Sequence, residues 1–236
     1  MIKTRQQYSL KVKEMTPDAI AAEDLGLLFA ATSDVIITST FWFTFKVLKD
    51  RHLLDALLTE ISESMVNFRE GLVLIPTLTG KSLMQSVYAE ILRLYSASGV
   101  VRQVQQDNVQ FAGYSTPTPR HSYIVAYGRA MAFDNTSWFR AGRQLNKPLE
   151  EFDPKRFLVD SDWTRPQPTQ ESREILKQRE SKTVTPSKEK LAGRHFSMDG
   201  LLGFWIPYGG GENICPGRHF AKHKIMLTFA ALLTQI

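Results

Sequence analysis

The stretch that most restricts the fold is residues 25–45, LGLLFAATSDVIITSTFWFTF, in which Asp34 is the only charged residue. A run of this length and apolarity is able to span a lipid bilayer as one helix. It is equally able to form a helix buried through the middle of a large protein. Asp34 and the interspersed threonine and serine residues favour burial in protein, since a charge near the bilayer centre is costly. We therefore expect a long helix at about 17–49 that needs covering on most sides, and the other helices supply part of that cover.

Apolar spacing in the rest of the chain predicts a mainly α fold with a small β region. Apolar residues recur at helical spacing in residues 51–69 and again in residues 80–96. After Gly99, short β-branched and aromatic segments alternate with Asn, Gly and Pro, which is typical of a small sheet. In chain order we expect the long helix, the helices over 51–69 and at about 80–96, a β-rich segment at about 99–133, a loop, a charged insertion at 164–194, a glycine-containing loop at 204–217 and a helix over 216–235.

The net charge of +5 does not by itself indicate a nucleic-acid partner. Residues 164–194 hold eight lysines or arginines against four acidic residues, so this segment accounts for +4 of the total. It contains few apolar residues and is typical of a solvated insertion. Because no aromatic and basic surface accompanies the charge, we expect no nucleic-acid binding. A single cysteine excludes an internal disulfide framework, and MIKTRQQYSLKVKEM lacks the apolar core of a signal peptide.

That single cysteine, Cys215, lies in the unusual loop GGGENICPG, residues 209–217. Three glycines precede it, and a proline and a glycine follow. A thiol presented by a loop with so few side chains indicates a large, flat partner that lies against the backbone. A free structural cysteine is the alternative.

Three motifs in this order resemble those of the cytochrome P450 family. The family's haem-binding signature, Phe-x-x-Gly-x-Arg-x-Cys-x-Gly, is matched by residues 208–217, which begin at Tyr208. Its Glu-x-x-Arg motif is matched by Glu90-Ile91-Leu92-Arg93, and its Pro-Glu-Arg-Phe segment by FDPKRFL, residues 152–158. The resemblance covers about residues 17–236 and is to the C-terminal half of the family's fold. Fungal members and the sterol 7α-hydroxylase and prostacyclin synthase branch look most similar. Residues 1–236 are thus interpreted as a partial cytochrome P450 domain.

The resemblance implies haem b as the cofactor, with Cys215 as the thiolate ligand of the iron. Arg102 matches a position whose arginine commonly meets a haem propionate. The signature arginine before the cysteine is Asn213 here, so we expect the propionate charge to be neutralised from elsewhere, with Arg102 as the candidate. The remaining haem-contacting positions let the backbone approach the porphyrin; they are Gly209, Gly210, Gly211 and Gly217.

The resemblance also implies a buried charged cluster of Glu90, Arg93 and Arg156. The spacing of three residues already places Glu90 and Arg93 on one helix face, where most such pairs are weak surface bridges. Apolar neighbours favour a buried position, and a desolvated arginine then needs a second acceptor. In the family, this cluster stabilises the haem-binding core.

The long helix carries the other departure from the family. Its Ala-Gly-x-Asp/Glu-Thr pattern aligns with residues 30–34, so that Thr32, Ser33 and Asp34 become the candidate catalytic residues. Ser33 stands at the position where the family has an acidic residue. Asp34 stands where the family has the threonine on the oxygen side. A carboxyl whose pKa is raised by burial is able to relay protons to dioxygen. The alternative is a haem-thiolate isomerase that rearranges a substrate peroxide and needs no proton delivery.

The resemblance implies a monooxygenase that oxidises a lipophilic small molecule with dioxygen, in fungal secondary metabolism. Its electron donor would be an NADPH–cytochrome reductase. A complete family member is longer than this chain and carries a membrane anchor, which would place the full-length protein at the endoplasmic reticulum membrane. A truncated fragment without catalytic activity is the remaining alternative.

Overall fold

The structure, a computed structural model, describes residues 2–12, 15–33, 35–62, 64, 75–111, 114–115, 117–143, 145–164 and 193–233. These residues form a mainly helical fold with a small β region, as the apolar spacing predicts. The helices are α1 (Ile2–Ser9), α2 (Pro17–Ser33), α3 (Val35–Leu48), α4 (Arg51–Ser62), α5 (Ile75–Gly80), α6 (Ser82–Tyr95), α7 (Gly128–Ala132), α8 (Asn135–Arg140) and α9 (Arg218–Leu233). The strands are β1 (Gly99–Gln103), β2 (Gln110–Phe111), β3 (Tyr114–Ser115), β4 (Tyr123–Tyr127), β5 (Leu158–Asp160) and β6 (Arg194–Phe196).

The strands form three short antiparallel pairs within the described ranges: β1 with β4, β2 with β3, and β5 with β6. In the longest pair, Gly99 lies opposite Tyr127 and Gln103 opposite Tyr123. The β-rich segment expected at about 99–133 ends at Tyr127, because the next five residues form α7. The β1–β4 pair follows α6 directly and therefore brings its strands to the end of that helix.

The expected long helix is represented by two helices, α2 and α3, on either side of Asp34, which lies outside the described residues. One face of α3 is buried against α4, α6 and α9. Phe43 and Val47 are fully buried there, and the Phe43 ring lies 4.2 Å from that of Phe229 on α9, measured between centroids. This packing places α3 beside the helix that follows the cysteine loop.

Part of the surface of these helices is exposed, so the other described elements supply only part of the cover that their apolarity requires. Along α3 the exposed apolar side chains recur every three or four residues and therefore share one face. Two more exposed apolar side chains lie on α2. We call these six side chains the α2–α3 stripe; they are Leu25, Phe29, Ile37, Phe41, Phe45 and Leu48.

No helix within the described ranges combines the length and the apolarity needed to cross a membrane. The helix predicted over 51–69 is observed as α4, and residues 65–70 lie outside the described part. Most of the charged insertion, residues 165–192, lies outside it as well. The final helix begins at Arg218, two residues later than predicted, so Pro216 precedes it in a turn.

Helix α6 lies between two apolar cores and positions the rest of the fold. On one side, Met84, Val87 and Ile91 belong to the core shared with α3, α4 and α9. On the other, Ala89 belongs to a second core around Trp138 and Phe157. Eleven of its fourteen residues are buried, because the helix packs against a core on each of two sides. This packing fixes the position of the helix.

The N-terminus of α6 is capped by a side chain from another helix. Its own N-cap residue, Lys81, makes no side-chain cap. Instead, the Glu60 carboxylate on α4 accepts hydrogen bonds from the backbone N–H groups of Leu83 and Met84, both at 3.0 Å. These are among the N–H groups that a helix leaves unpaired at its start. A negative charge there also interacts favourably with the positive end of the helix dipole.

We predict that Glu60→Ala lowers the free energy of unfolding by about 1–2 kcal/mol, the usual cost of losing a helix cap. Asp55→Ala on the same helix is the matched control, since Asp55 only pairs with exposed Arg51 and should cost less than about 1 kcal/mol. Urea unfolding followed by circular dichroism measures both. Equal losses in the two variants would show that Glu60 contributes no more than a surface ion pair.

Candidate functional site

The cysteine lies at the end of a loop with an exposed thiol. A short 3-10 helix, Gly211–Asn213, precedes Cys215, and α9 begins three residues after it. The Cys215 N–H donates to the Tyr208 carbonyl at 3.0 Å and closes the loop. Its side chain is exposed and unpaired with any other cysteine, since the chain has only one. The loop therefore presents a sulfur that is free to bind a metal.

Two of the loop glycines have a backbone that disfavours any other residue. Gly209 and Gly211 have φ values of 77° and 69°, in the left-handed region. A Cβ on Gly211 would also lie 2.9 Å from Nη2 of Arg102. Gly210 has neither constraint, because a Cβ there would make only an ordinary contact with Val100 at 3.7 Å. At Gly217, a Cβ would lie 3.7 Å from the Cys215 sulfur.

Arg102 on β1 meets this loop. Its guanidinium donates from Nη2 to the Gly210 carbonyl and from Nη1 to the Val101 carbonyl, both at 2.8 Å. A guanidinium has five N–H donors, so three remain for another acceptor. The side chain is exposed. A cation with spare donors is thus placed beside the cysteine loop. The side chain of Asn213 lies outside the described residues, although its backbone closes the 3-10 helix.

The segment that leads into the loop is fastened to α6 and to the turn that follows it. Trp205 donates from Nε1 to the Ala89 carbonyl at 3.0 Å. The Ser98 hydroxyl donates to the Ile206 carbonyl at 2.6 Å. The Ser96 hydroxyl donates to the next carbonyl, that of Pro207, over a longer distance of 3.4 Å. Neither the tryptophan nor the serines were predicted, because contacts across more than 100 residues leave no local pattern.

A fourth contact joins Tyr88 on α6 to Tyr208. Their hydroxyl oxygens lie 2.5 Å apart. Burial raises the pKa of Tyr88, with a smaller contribution from Tyr208. Burial also raises the pKa of Tyr208, and the charge of Cys215 adds to that increase. Both hydroxyls therefore stay protonated, and the Tyr208 side chain is within electrostatic reach of the cysteine.

Glu90, Arg93 and Arg156 form a fully buried cluster behind this loop. The Glu90 carboxylate accepts from Nε and Nη2 of Arg93 at 2.7 and 2.9 Å, and from Nε of Arg156 at 3.0 Å. The side chains of all three are 0% exposed. The backbone N–H of Asp153 adds a further bond of 3.0 Å to the same carboxylate. One negative charge thus joins α6 to the segment over 147–157.

Backbone carbonyls satisfy the donors that the carboxylate does not reach. Arg93 donates from Nη2 to Leu149 at 2.7 Å, and Arg156 donates from Nη2 to Pro148 and Glu151, both at 2.9 Å. These are the second acceptors that a desolvated arginine requires. The sequence predicts only that these arginines need further acceptors. Which backbone carbonyls accept the hydrogen bonds depends on the fold of 147–151.

Another buried arginine, Arg143, was missed in the sequence. It is 6% exposed and donates from Nη2 to the carbonyls of Ser197 and Asp199 at 2.9 and 2.7 Å. Its Nε and Nη1 are buried without a partner in the described part of the chain. Burial lowers its pKa to about 10. A single arginine in a polar loop carries no sequence signal that would have identified it.

The candidate catalytic residues on the long helix are described only in part. Thr32 and Ser33 lie in the last turn of α2, and their side chains, like all of Asp34, lie outside the described residues. A cleft of about 400 Å³ lies between α3 and α9, where Ile37, Phe41 and Leu232 line it. None of the predicted site residues lines that cleft.

The donor set on the loop fits a flat, anionic, metal-bearing group. The exposed sulfur of Cys215 is a soft ligand, and the left-handed glycines keep side chains off the loop backbone. Arg102 offers a positive charge to an acidic substituent. Haem combines a porphyrin plane, an iron that accepts a thiolate and two carboxylates, and these residues match each of those features.

Comparison with known proteins finds a matching family and several curated relatives. A family model described as Cytochrome P450 matches residues 1–181. Among curated relatives, Cytochrome P450 monooxygenase fsoE of Humicola fuscoatra is 35% identical over 245 residues, covering 98% of this chain and 39% of the relative. Cytochrome P450 monooxygenase efuG of Hormonema carpetanum is 33% identical over 238 residues, covering 98% and 40%.

A mammalian relative extends the likeness to the sterol branch. The 25-hydroxycholesterol 7-alpha-hydroxylase of Rattus norvegicus is 26% identical over 243 residues, covering 99% of this chain and 50% of the relative. The chain therefore spans between about two fifths and one half of the length of these relatives.

We predict that Arg93→Ala prevents a stable haem-loaded protein from accumulating, because it leaves Glu90 buried with one partner fewer, at a cost of about 3–5 kcal/mol. Arg156→Lys should be milder yet harmful, since a lysine keeps the charge but cannot make the fork of bonds to Glu90 and the carbonyls. Arg51→Ala, which loses an exposed pair, is the control. Soluble yield and haem absorbance per protein measure all three; normal values for Arg93→Ala would refute the structural role of the cluster.

Proposed function

Because the chain belongs to the cytochrome P450 family, we propose that it forms the haem-binding part of a monooxygenase that oxidises a lipophilic small molecule. The observation that carries the proposal is the exposed thiol of Cys215 on a glycine loop, with Arg102 beside it. The two fungal relatives that bear the name monooxygenase support it. Their similarity to this chain also supports a role in fungal secondary metabolism.

Haem b is the cofactor of this family, and when bound it supplies a thiolate-ligated iron that activates dioxygen. We assign the sulfur of Cys215 to the iron. The N-terminus of α9 lies three residues beyond it, where the helix dipole favours a negative charge and so stabilises a thiolate. Arg218, the first residue of that helix, donates to the Cys215 carbonyl at 3.0 Å and keeps the cysteine close to the helix end.

Arg102 is proposed to bind a haem propionate with its three spare N–H donors. The signature arginine before the cysteine is absent, since position 213 is Asn. Asparagine forms hydrogen bonds but carries no charge. Arg102 therefore becomes the cation that neutralises the propionate, and its two bonds to the backbone carbonyls of Val101 and Gly210 hold the guanidinium at the rim of the loop.

The other participants in the reaction are proposed from the family. They are dioxygen, a lipophilic substrate and an NADPH–cytochrome reductase as the electron donor. The α2–α3 stripe is proposed to contact further protein in the working enzyme, since six large apolar side chains are exposed on two successive helices. The greater length of the relatives agrees with this requirement.

Asp34 is proposed to hold a proton for the dioxygen substrate, with Thr32 and Ser33 on the preceding turn. The support is the position of Asp34 in the family pattern, where a hydroxyl residue is usual. A carboxyl is able to accept and donate a proton, so Asp34 is able to take the part of the usual hydroxyl in proton delivery.

The assignment of Cys215 is tested by the spectrum of the reduced protein with carbon monoxide. We predict the absorption band that is diagnostic of a thiolate-ligated haem, and its complete loss in Cys215→Ala. Arg102→Ala is the companion variant: it should keep the position of the band while weakening haem retention, because the sulfur is intact and only a propionate contact is lost. A Cys215→Ala protein that retains the band would falsify the assignment.

The role of Asp34 is tested by coupling efficiency in an enzyme that turns over. We predict that Asp34→Asn and Asp34→Ala both consume NADPH while releasing hydrogen peroxide instead of product. Asparagine keeps the shape and removes the titratable group, so a similar defect in both variants indicates proton transfer. Wild-type coupling in Asp34→Asn, with a defect in Asp34→Ala alone, would mean that the residue acts through packing.

A further inference from the structure

The hydroxyl pair of Tyr88 and Tyr208 joins the cysteine loop to α6 at a position where the family signature has phenylalanine. The two oxygens lie 2.5 Å apart although 120 residues separate them in the chain. Within the described residues, neither hydroxyl has another hydrogen-bond partner. Tyr208 is also the residue whose carbonyl receives the Cys215 N–H. The pair thus ends on the same residue as the loop closure.

Counting protons shows that the pair is asymmetric. Each tyrosine has one O–H donor and can also accept. Only one proton lies between the two oxygens, so one tyrosine donates and the other keeps a proton that points elsewhere. The donor's hydrogen-bonding requirement is met in full, whereas the acceptor's own proton needs another destination.

Burial decides which tyrosine donates. Tyr88 is 5% exposed and belongs to the apolar core around α6. A proton on its oxygen that did not meet Tyr208 would have no acceptor among its apolar neighbours, and leaving a buried donor unpaired is costly. Tyr208 is half-buried and lies at the edge of that core, so its proton has room to point outward.

We propose that Tyr88 donates to Tyr208, and that this one-way hydrogen bond positions the Cys215 loop. The proposal rests on the function assigned above. Tyr208 acts as a positioning residue, because α6 holds its hydroxyl and its backbone carbonyl accepts the Cys215 N–H at 3.0 Å. A displacement of Tyr208 is therefore passed on to the residue that carries the sulfur.

The test is a cycle of four haem-loaded proteins: the wild type, Tyr88→Phe, Tyr208→Phe and the double variant. Tyr208→Phe orphans a buried donor, so we expect haem release to excess apomyoglobin to be faster by about tenfold. Tyr88→Phe leaves only the half-buried Tyr208 hydroxyl without a partner, so the rate should rise by less than about threefold. The double variant should resemble Tyr88→Phe, because removing both hydroxyls leaves no orphan.

The reduction potential of the iron separates positioning of the sulfur from simple loss of packing. Tyr208→Phe should shift the potential, since the unpaired Tyr88 hydroxyl forces the neighbouring loop to rearrange, whereas Tyr88→Phe and the double variant should shift it less. Tyr95→Phe is the control: Tyr95 is on the same helix, its ring stacks on Trp42 with centroids 4.2 Å apart, and both readouts should stay at wild-type values.

Additive effects of the two substitutions, a larger effect of Tyr88→Phe, or an unchanged potential in Tyr208→Phe would overturn the proposal. If the assigned function is wrong, the wild type itself lacks the thiolate–haem spectrum, which distinguishes that outcome from failure of this proposal. In that case, the urea concentrations at which the four haem-free proteins are half unfolded still test the hydrogen bond. Tyr208→Phe should have the lowest midpoint, and any other order contradicts the direction that we assign.

Discussion

The fold depends on a single buried carboxylate that two guanidinium groups share. Glu90 is surrounded by Arg93, Arg156 and the Asp153 N–H at 2.7 to 3.0 Å. One negative charge cannot balance two positive ones, so backbone carbonyls of 147–151 complete the arrangement. A buried charge without partners is costly. The segment over 147–151 must therefore follow a path that brings its carbonyls to the two arginines. The cluster thus determines the course of an irregular segment that has almost no regular structure of its own.

The position of the sulfur follows from this arrangement through α6. The cluster and the two apolar cores hold the helix. Side chains of the helix, of the turn that follows it and of β1 in turn hold the segment over 205–210 by hydrogen bonds. A loop of glycines would otherwise have many accessible conformations. A reactive group on a flexible loop thus gains a defined location because its supports lie on a rigid element.

Sequence reasoning reaches the local part of this architecture and stops where contacts become long-range. The spacing of Glu90 and Arg93 and the isolated cysteine are readable directly, and the mainly helical fold follows from apolar periodicity. The Glu60 cap and the Tyr88–Tyr208 pair leave no pattern, since each joins residues whose separation only the fold determines. The apolarity of 25–45 indicates that the helix needs cover on most sides, but it does not specify which elements supply that cover. The described elements cover only part of it, and the α2–α3 stripe is exposed.

The bonds that fix the cysteine loop also have a consequence for the order of folding. Tyr208 meets a residue 120 positions earlier, and Ser98 and Arg102 meet the same segment across 108 positions. At a synthesis rate of roughly 5–20 residues per second, about 6–24 s pass between the appearance of α6 and that of its loop partner. Closing so long a loop is entropically unfavourable before the intervening chain folds. The sulfur therefore reaches its final place late, and the proposed cofactor site is complete only after the chain from α6 to Cys215 has folded.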